Sequence, residues 1–127
     1  HVNFMKEVRR AAAEETNEDV TLVVGVIGDA DAESYKRRPI VEEEYRSQLV
    51  AELRCVDRVI PNSPLVLTKD FLKEHSIDLV FHGDDMSGQG NFFDVPIELG
   101  IMRTCPYDVH RTGISTTELI RRVQARK

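Results

Sequence analysis

Apolar positions recur along the chain at two spacings, one typical of amphipathic helices and one typical of buried strands. Apolar residues three or four apart, beginning with Val2 and Met5, predict a helix over 2–15. The continuous apolar run 20–27 predicts a strand buried on both faces of a parallel sheet. The same patterns predict, in chain order, a helix through Val41, Tyr45, Leu49, Leu53 and Val56, a strand over 58–61, a helix capped by Thr68, a strand over 77–82, a helix within 92–99 that Pro96 limits to its first turn, and a strand over 101–105.

This alternation of helix and strand predicts an α/β fold, doubly wound, with a parallel sheet and helices on both faces. In such folds ligands bind beyond the carboxyl ends of the strands. Three polar loops follow predicted strands, at 28–39, 83–91 and 106–116. We expect these loops to form the functional site.

Composition narrows the class of protein further. The 127 residues suffice for one domain with a single core, and the net charge of −5 argues against a nucleic-acid partner. No apolar run approaches the roughly 20 residues of a membrane-spanning helix, and no signal peptide is visible. Cys55 and Cys105 lie in apolar segments without metal-site spacing, which predicts buried free thiols. A cytoplasmic protein without a membrane span is therefore expected.

The loop 106–116 has the pattern of an anion-binding helix start. Ser115 and Glu118 are spaced as a capping box, and apolar residues then follow at helical spacing. The free N–H groups of a helix start attract phosphate, Gly113 permits close approach to the backbone, and Arg111 adds a planar cation. An ordinary capped surface helix is the alternative.

The two other loops carry residues suited to phosphate and nucleotide. Lys36 begins a run of three basic residues in an acidic chain, for which a solvated loop is the alternative. Asp84 and Asp85 follow the predicted strand that ends at His82, and paired carboxylates suit magnesium or ribose hydroxyls. Alone, this pair is also a common turn composition.

Several separated motifs together resemble one family. The stretch 111–117 is similar to the R-T-x-G-I/V-S-T-S/T signature of the CTP-dependent cytidylyltransferases, although it is one residue shorter, so that Arg111 or His110 takes the arginine position. The chain also begins like the second half of that family's H-x-G-H motif, at His1. Lys36 matches the family's acceptor lysine, and Arg46, eight residues before Arg54, matches the arginine of its E-R helix.

The resemblance implies a Rossmann-like nucleotidyltransferase fold and a set of roles for these residues. The resemblance assigns catalytic roles to His1, Lys36 and Arg111. It assigns acceptor binding to Lys36, Arg46 and Asp85. Magnesium is the implied cofactor, held mainly by the CTP phosphates with no protein ligand assigned, and a homodimer is expected. The implied CTP-binding residues are His1, Gly83, Asp84, Asp85, Arg111, Thr112, Gly113, Ile114, Ser115 and Thr116.

The reaction implied by the resemblance transfers CMP from CTP to a small phosphate acceptor. Choline phosphate is disfavoured, because the chain has no tryptophan and Leu65 stands where choline enzymes of the family carry one. A phospho-alcohol or phospho-amino-alcohol of the ethanolamine-phosphate type ranks first. A phosphonate such as 2-hydroxyethylphosphonate or 2-aminoethylphosphonate is the alternative, because residues 34–39 resemble the phosphonate enzymes of the family.

The resemblance also raises an alternative of another class. The family's first strand, which lies in the middle of its sheet, and its first histidine have no counterpart in residues 1–127, so an N-terminally incomplete catalytic domain is expected. A non-catalytic nucleotide-binding or interaction fragment is the competing interpretation. The residues upstream of His1 in the parent chain would discriminate between the two.

Overall fold

A computed structural model describes residues 1–84, 89–106 and 116–126 of the chain. Within these ranges helices and strands alternate, and every strand pairs in parallel, so the predicted α/β class is confirmed. The elements are α1 (Val2–Thr16), β1 (Val23–Ile27), α2 (Asp29–Tyr35), α3 (Glu43–Ala51), β2 (Arg58–Ser63), α4 (Lys69–Glu74), β3 (Val80–Gly83), α5 (Asp94–Glu98), β4 (Met102–Cys105) and α6 (Thr116–Ala125).

The four strands of the described ranges form two sheets of two strands each. β1 pairs with β2, and β3 pairs with β4 from the Val80–Met102 pair to the Gly83–Cys105 pair. The sequence predicts one parallel sheet, whereas the described strands form two separate parallel pairs. Each of the four strands pairs on one side only within the part of the chain described.

The burial of β1 corrects one prediction. The run 20–27 was expected to be buried on both faces, but within β1 only Val26 is buried, and Gly25 is exposed. The strand is also shorter than the apolar run, because pairing with β2 begins at Val23. A strand that pairs on one side only within the described residues is less covered than a middle strand of a parallel sheet, which explains the difference.

The first helix follows its predicted pattern closely. Val8 and Ala12, one turn apart, are the buried residues of α1, and the helix ends at Asn17 in the left-handed conformation with φ 56°. Thr68 caps α4 as expected, since its side chain accepts from the Phe71 N–H at 3.1 Å. Pro96 lies buried in the first turn of α5, where a missing N–H costs no helical hydrogen bond.

The segment 28–39, predicted as a polar loop, contains a helix. α2 begins directly after Gly28, carries Asp29 and Asp31 in its first turn, and buries Ala32 at 1% exposure. The helix was missed because its seven residues offer one buried apolar position, too few for a helical repeat. Its acidic first turn was an available signal, since acidic side chains complement the positive end of a helix.

One aspartate ties the first helix to both strands of the first sheet. Asp57, directly before β2, accepts from the Leu22 N–H at 2.7 Å and from the Arg9 guanidinium of α1. Arg9 also donates to the Cys55 carbonyl at 3.1 Å. Farther along α1, Glu15 accepts from Arg103 of β4 at 2.6 Å, so the same helix contacts both sheets.

Two further expectations concern the thiols and the membrane. Both cysteines are free, as predicted; Cys105 is buried, and burial raises the pKa of its thiol, whereas Cys55 is only half-buried. Among the helices described, none is long and apolar enough to cross a bilayer.

Replacing Asp57 by asparagine should lower the melting temperature by a few degrees near neutral pH. The Leu22 N–H, followed by Arg9, holds the pKa of Asp57 below its ordinary value in the folded chain. A carboxyl whose pKa is lowered by folding stabilises the protein above its unfolded pKa of about 3.9 and loses that contribution as the pH falls. The difference in melting temperature between wild type and Asp57→Asn should therefore shrink below about pH 4 in thermal unfolding followed by circular dichroism.

Asp19→Asn is the matched control for this prediction, because Asp19 is an exposed aspartate. Its melting temperature should follow that of the wild type at every pH. A penalty for Asp57→Asn that stays constant down to about pH 3 would contradict the ionic role of the carboxylate.

Candidate functional site

The carboxyl ends of the strands define where the candidate site lies. β1 ends at Ile27 and leads directly into α2 through Gly28, while β3 ends at Gly83, opposite Cys105 at the end of β4. Since paired parallel strands end at the same edge, the chains leaving Gly83 and Cys105 depart side by side. This is the edge at which ligands bind in parallel α/β folds.

The end of β1 and the turn that follows it are packed closely against side chains of neighbouring segments. A Cβ atom at Gly28 would lie 2.2 Å from Asn62 Oδ1 and 2.9 Å from Glu43 Oε2. At Gly25, a Cβ atom would lie 2.6 Å from Ser63 Oγ. A side chain at either position would therefore require Asn62, Glu43 or Ser63 to move, and the ends of β1 and β2 are held in direct contact.

An arginine organises the start of α2. Arg46 of α3 donates to the Ile27 carbonyl at 2.9 Å and to Asp29 Oδ1 at 2.7 Å. Its Nε donates to the Val41 carbonyl at 2.9 Å, so the guanidinium joins the end of β1 to the connection before α3. The other Asp29 oxygen accepts from the Glu43 N–H at 3.2 Å.

These contacts fix the charge state of Asp29. The hydrogen bond from Arg46, followed by that from the Glu43 N–H, lowers the pKa of Asp29, so the carboxylate is ionised at neutral pH. Sequence reasoning named Arg46 as an acceptor-binding residue. Its described contacts are with protein oxygen atoms, and acceptor binding stays a prediction.

Lys36 lies at the carboxyl end of α2. Its N–H donates to the Ala32 carbonyl at 3.1 Å, which closes the helix, and its Nζ lies 5.4 Å from the centroid of the Tyr35 ring. The side chain is exposed, and no carboxylate in the described part of the chain forms an ion pair with it. An exposed ammonium of this kind is available to an anionic ligand.

The residues beside Lys36 make contacts that sequence reasoning missed. The Tyr35 ring meets Phe92 edge to face at a centroid distance of 5.6 Å, and Arg37 Nη2 donates to Thr117 Oγ1 at 2.7 Å. Phe92 precedes α5, and Thr117 is the second residue of α6. The structure therefore brings the Lys36 segment together with the start of α6, which begins at Thr116 as the sequence pattern predicts.

The other predicted site residues are only partly described. His1 stands directly before α1 and its carbonyl accepts from the Met5 N–H at 2.9 Å; Asp84 is exposed and directly follows Gly83. The half-buried His82 ring packs on Phe93 at a centroid distance of 4.9 Å. Six predicted site residues lie outside the described residues: Asp85, Arg111, Thr112, Gly113, Ile114 and Ser115.

Among the described residues, neither a cluster of metal ligands nor the groove on α3 marks the site. Across 1–84, 89–106 and 116–126, no three His, Cys, Asp or Glu side chains lie close enough to hold a metal ion. A groove of about 640 Å³ lies on the exposed side of α3, lined by Tyr45, Gln48, Leu49, Ala51 and Glu52. None of these is a predicted site residue, so we place the site by the strand ends and not by this groove.

The parallel α/β fold, with its outgoing turns at the carboxyl ends of the strands, defines a class of protein in which nucleotides commonly bind at that edge. The family model described as "Cytidylyltransferase-like" matches residues 1–122. The chain belongs to this family. The family also accounts for the Rossmann-like arrangement of its parallel strands.

Three curated proteins similar to the chain are all named as cytidylyltransferases. The chain is 36% identical over 107 residues to the probable ethanolamine-phosphate cytidylyltransferase of Encephalitozoon cuniculi, which covers 80% of the chain and 32% of that protein. It is 33% identical over 127 residues to the choline-phosphate cytidylyltransferase of Saccharomyces cerevisiae, covering 97% and 28%. It is 32% identical over 106 residues to the ethanolamine-phosphate cytidylyltransferase of Mus musculus, covering 80% and 25%.

The chain spans about a third or less of the length of these relatives. Family and fold follow from the comparisons. Activity, acceptor and partners require separate proposals.

The Arg46 contacts yield a stability prediction that separates two roles. Arg46→Lys replaces a planar fork by a single ammonium that cannot reach Val41, Ile27 and Asp29 together, so the melting temperature should fall. Asp29→Asn should lower it as well, and the double variant should lose less than the sum, because the two side chains act on one contact. Thermal unfolding of the four proteins measures this coupling.

Arg54→Lys is the matched control, because Arg54 is an exposed arginine eight residues farther along. We expect its melting temperature to match the wild type. If Arg46→Lys left the melting temperature unchanged and raised only the acceptor KM, the arginine would be an acceptor ligand and not an organiser of the turn.

Proposed function

We propose that this chain is the catalytic domain of a CTP-dependent cytidylyltransferase that transfers CMP from CTP to a small phospho-amino-alcohol, with release of pyrophosphate. The observation that carries the proposal is the hydrogen bond from Arg37 to Thr117. This bond joins the segment that contains Lys36, the proposed acceptor lysine, to α6. The first residues of α6 are the last residues of the 111–117 signature. Family membership over residues 1–122 supplies the reaction class.

The chemistry needs positioning and positive charge more than a protein nucleophile. An oxygen of the acceptor phosphate attacks the α-phosphorus of CTP, a new P–O bond forms, and the bond to the bridging oxygen breaks. Pyrophosphate leaves with that electron pair. Because charge develops on the phosphates, donors fixed in place before reaction lower the barrier.

Each proposed catalytic residue supplies one such donor. Lys36 holds the acceptor phosphate, and Arg111 and His1 stabilise the triphosphate as charge moves to the leaving group. The N–H groups at the start of α6 add a further anion-binding element near Thr116. In the nucleotide loop Gly83 lets CTP approach the backbone, and Asp84 accepts from nucleotide hydroxyls.

Magnesium is the proposed cofactor, and its chemistry is to neutralise the triphosphate. The described residues offer Asp84 as an isolated exposed carboxylate and no cluster of ligands. This donor set fits an ion carried by the nucleotide, because magnesium keeps several waters and binds largely through phosphates. The residues described here bind and orient the substrates around that ion.

Ethanolamine phosphate is the proposed acceptor. Relatives named for ethanolamine phosphate and relatives named for choline phosphate both match the chain, so the proposal rests on the residues of the chain itself. The chain has no tryptophan, and the Tyr35 ring beside Lys36 already contacts Phe92 and the lysine Nζ. These features favour a primary ammonium over a quaternary one. The phosphonate alternative rests on residues 34–39 alone, and a homodimer is proposed on family resemblance.

A panel of acceptors tests the reaction and the acceptor class. Pyrophosphate release from CTP and magnesium should be fastest with ethanolamine phosphate, followed by choline phosphate and glycerol 3-phosphate. A faster rate with 2-aminoethylphosphonate would establish the phosphonate alternative. CTP binding without release from any acceptor would favour the non-catalytic interpretation, and ATP bound about tenfold more tightly than CTP would contradict the nucleotide assignment.

Two substitutions separate the proposed roles. Lys36→Ala should raise the KM of the acceptor more than that of CTP, because it removes a ligand of the acceptor phosphate. Arg111→Lys replaces a planar fork by a point charge and should lower kcat roughly 10²–10³-fold. Steady-state kinetics with each substrate varied in turn measures both. A Lys36→Ala variant that raised only the CTP KM would refute the role given to this loop.

A further inference from the structure

The segment from Tyr35 to Arg37 is held on both sides of Lys36. Before the lysine, Tyr35 packs edge to face on Phe92; after it, Arg37 donates to Thr117 at 2.7 Å. The lysine N–H itself is bound to the Ala32 carbonyl at 3.1 Å. The backbone that presents Lys36 is therefore anchored to α2, to the segment before α5 and to α6.

The Arg37 contact differs from the usual pairing of a surface arginine. Arg38, the next residue, lies 3.7 Å from the carboxylate of Glu33. On α6, Arg121 and Arg122 both pair with Glu118. Within the described chain Arg37 instead donates to a neutral hydroxyl 80 residues away, and it forms no ion pair there. Among the described residues, no carboxylate neutralises its charge where the Lys36 segment meets the start of α6.

We propose that Arg37 is a positioning residue, whose hydrogen bond to Thr117 sets Lys36 against the start of α6 and so aligns the acceptor phosphate with the nucleotide. The inference rests on the proposed function. Exposed contacts of this kind contribute little to folding stability. A displacement of a reacting group by about 1 Å can nevertheless cost on the order of 10² in rate, so the contact matters for alignment.

The test compares variants at both ends of the hydrogen bond, with CTP and ethanolamine phosphate as substrates. Arg37→Ala and Thr117→Val should each lower kcat/KM for ethanolamine phosphate about tenfold, with the CTP KM changed less than about twofold. The double variant should be no worse than either single variant, because both remove the same contact. Thr117→Ser keeps the hydroxyl and should retain wild-type kinetics, and Arg37→Lys should recover part of the loss.

Arg38→Ala is the matched control, since it removes the same charge from the neighbouring residue. We expect it to keep wild-type kinetics, and all variants to keep the wild-type melting temperature. Full losses that add in the double variant would show that Arg37 acts on a substrate directly and would overturn the inference. Unchanged kinetics in Arg37→Ala and Thr117→Val, or equal losses in Arg38→Ala, would overturn it too.

The same experiment distinguishes a failure of the inference from a failure of the proposed function. A wild type that releases no pyrophosphate with any acceptor overturns the proposed function, and the inference falls with it. An active wild type whose Arg37 and Thr117 variants are equally active overturns the inference alone.

Discussion

Parallel pairing of the strands is the constraint on which the candidate site depends. Two strands that run in the same direction end at the same edge, and the chain must cross back through a helix before the next strand begins. The pairs β1–β2 and β3–β4 therefore each deliver their outgoing turns to one edge. Contacts of Tyr35 with Phe92 and of Arg37 with Thr117 then connect the segment after β1 with segments that follow β3 and β4.

The local elements of the fold could largely be predicted from sequence. The repeat behind α1 and the Thr68 cap of α4 depend on residues three or four apart, and both were found as expected. β2 extends past the predicted end at Pro61 to Ser63, because pairing with β1 continues there through a register shift. That extension depends on a neighbouring strand, which no local pattern reveals.

The contacts of the candidate site were harder to predict from sequence, because they too depend on residues that are distant in the chain. Lys36 and Arg46 could be named by resemblance, yet their surroundings depend on residues far away in the chain. Arg46 reaches back 19 residues to the Ile27 carbonyl, and Arg37 reaches forward 80 residues to Thr117. No spacing rule predicts such contacts. The burial of Ala32 in α2 likewise depends on packing with other parts of the chain and not on a local repeat.

The close packing of the turn after β1 also constrains which residues can occupy positions 28 and 62. Gly28 leaves no room for a Cβ atom because the side chain of Asn62 occupies that space, and Asn62 itself has φ 48°. Asparagine and glycine are the residues that best tolerate that conformation. Asn62→Gly would clear the nearest clash while keeping the turn, although Glu43 would still have to move. The space at position 28 is therefore set by the side chain at position 62, so a residue larger than glycine at position 28 requires that side chain to move or to be smaller.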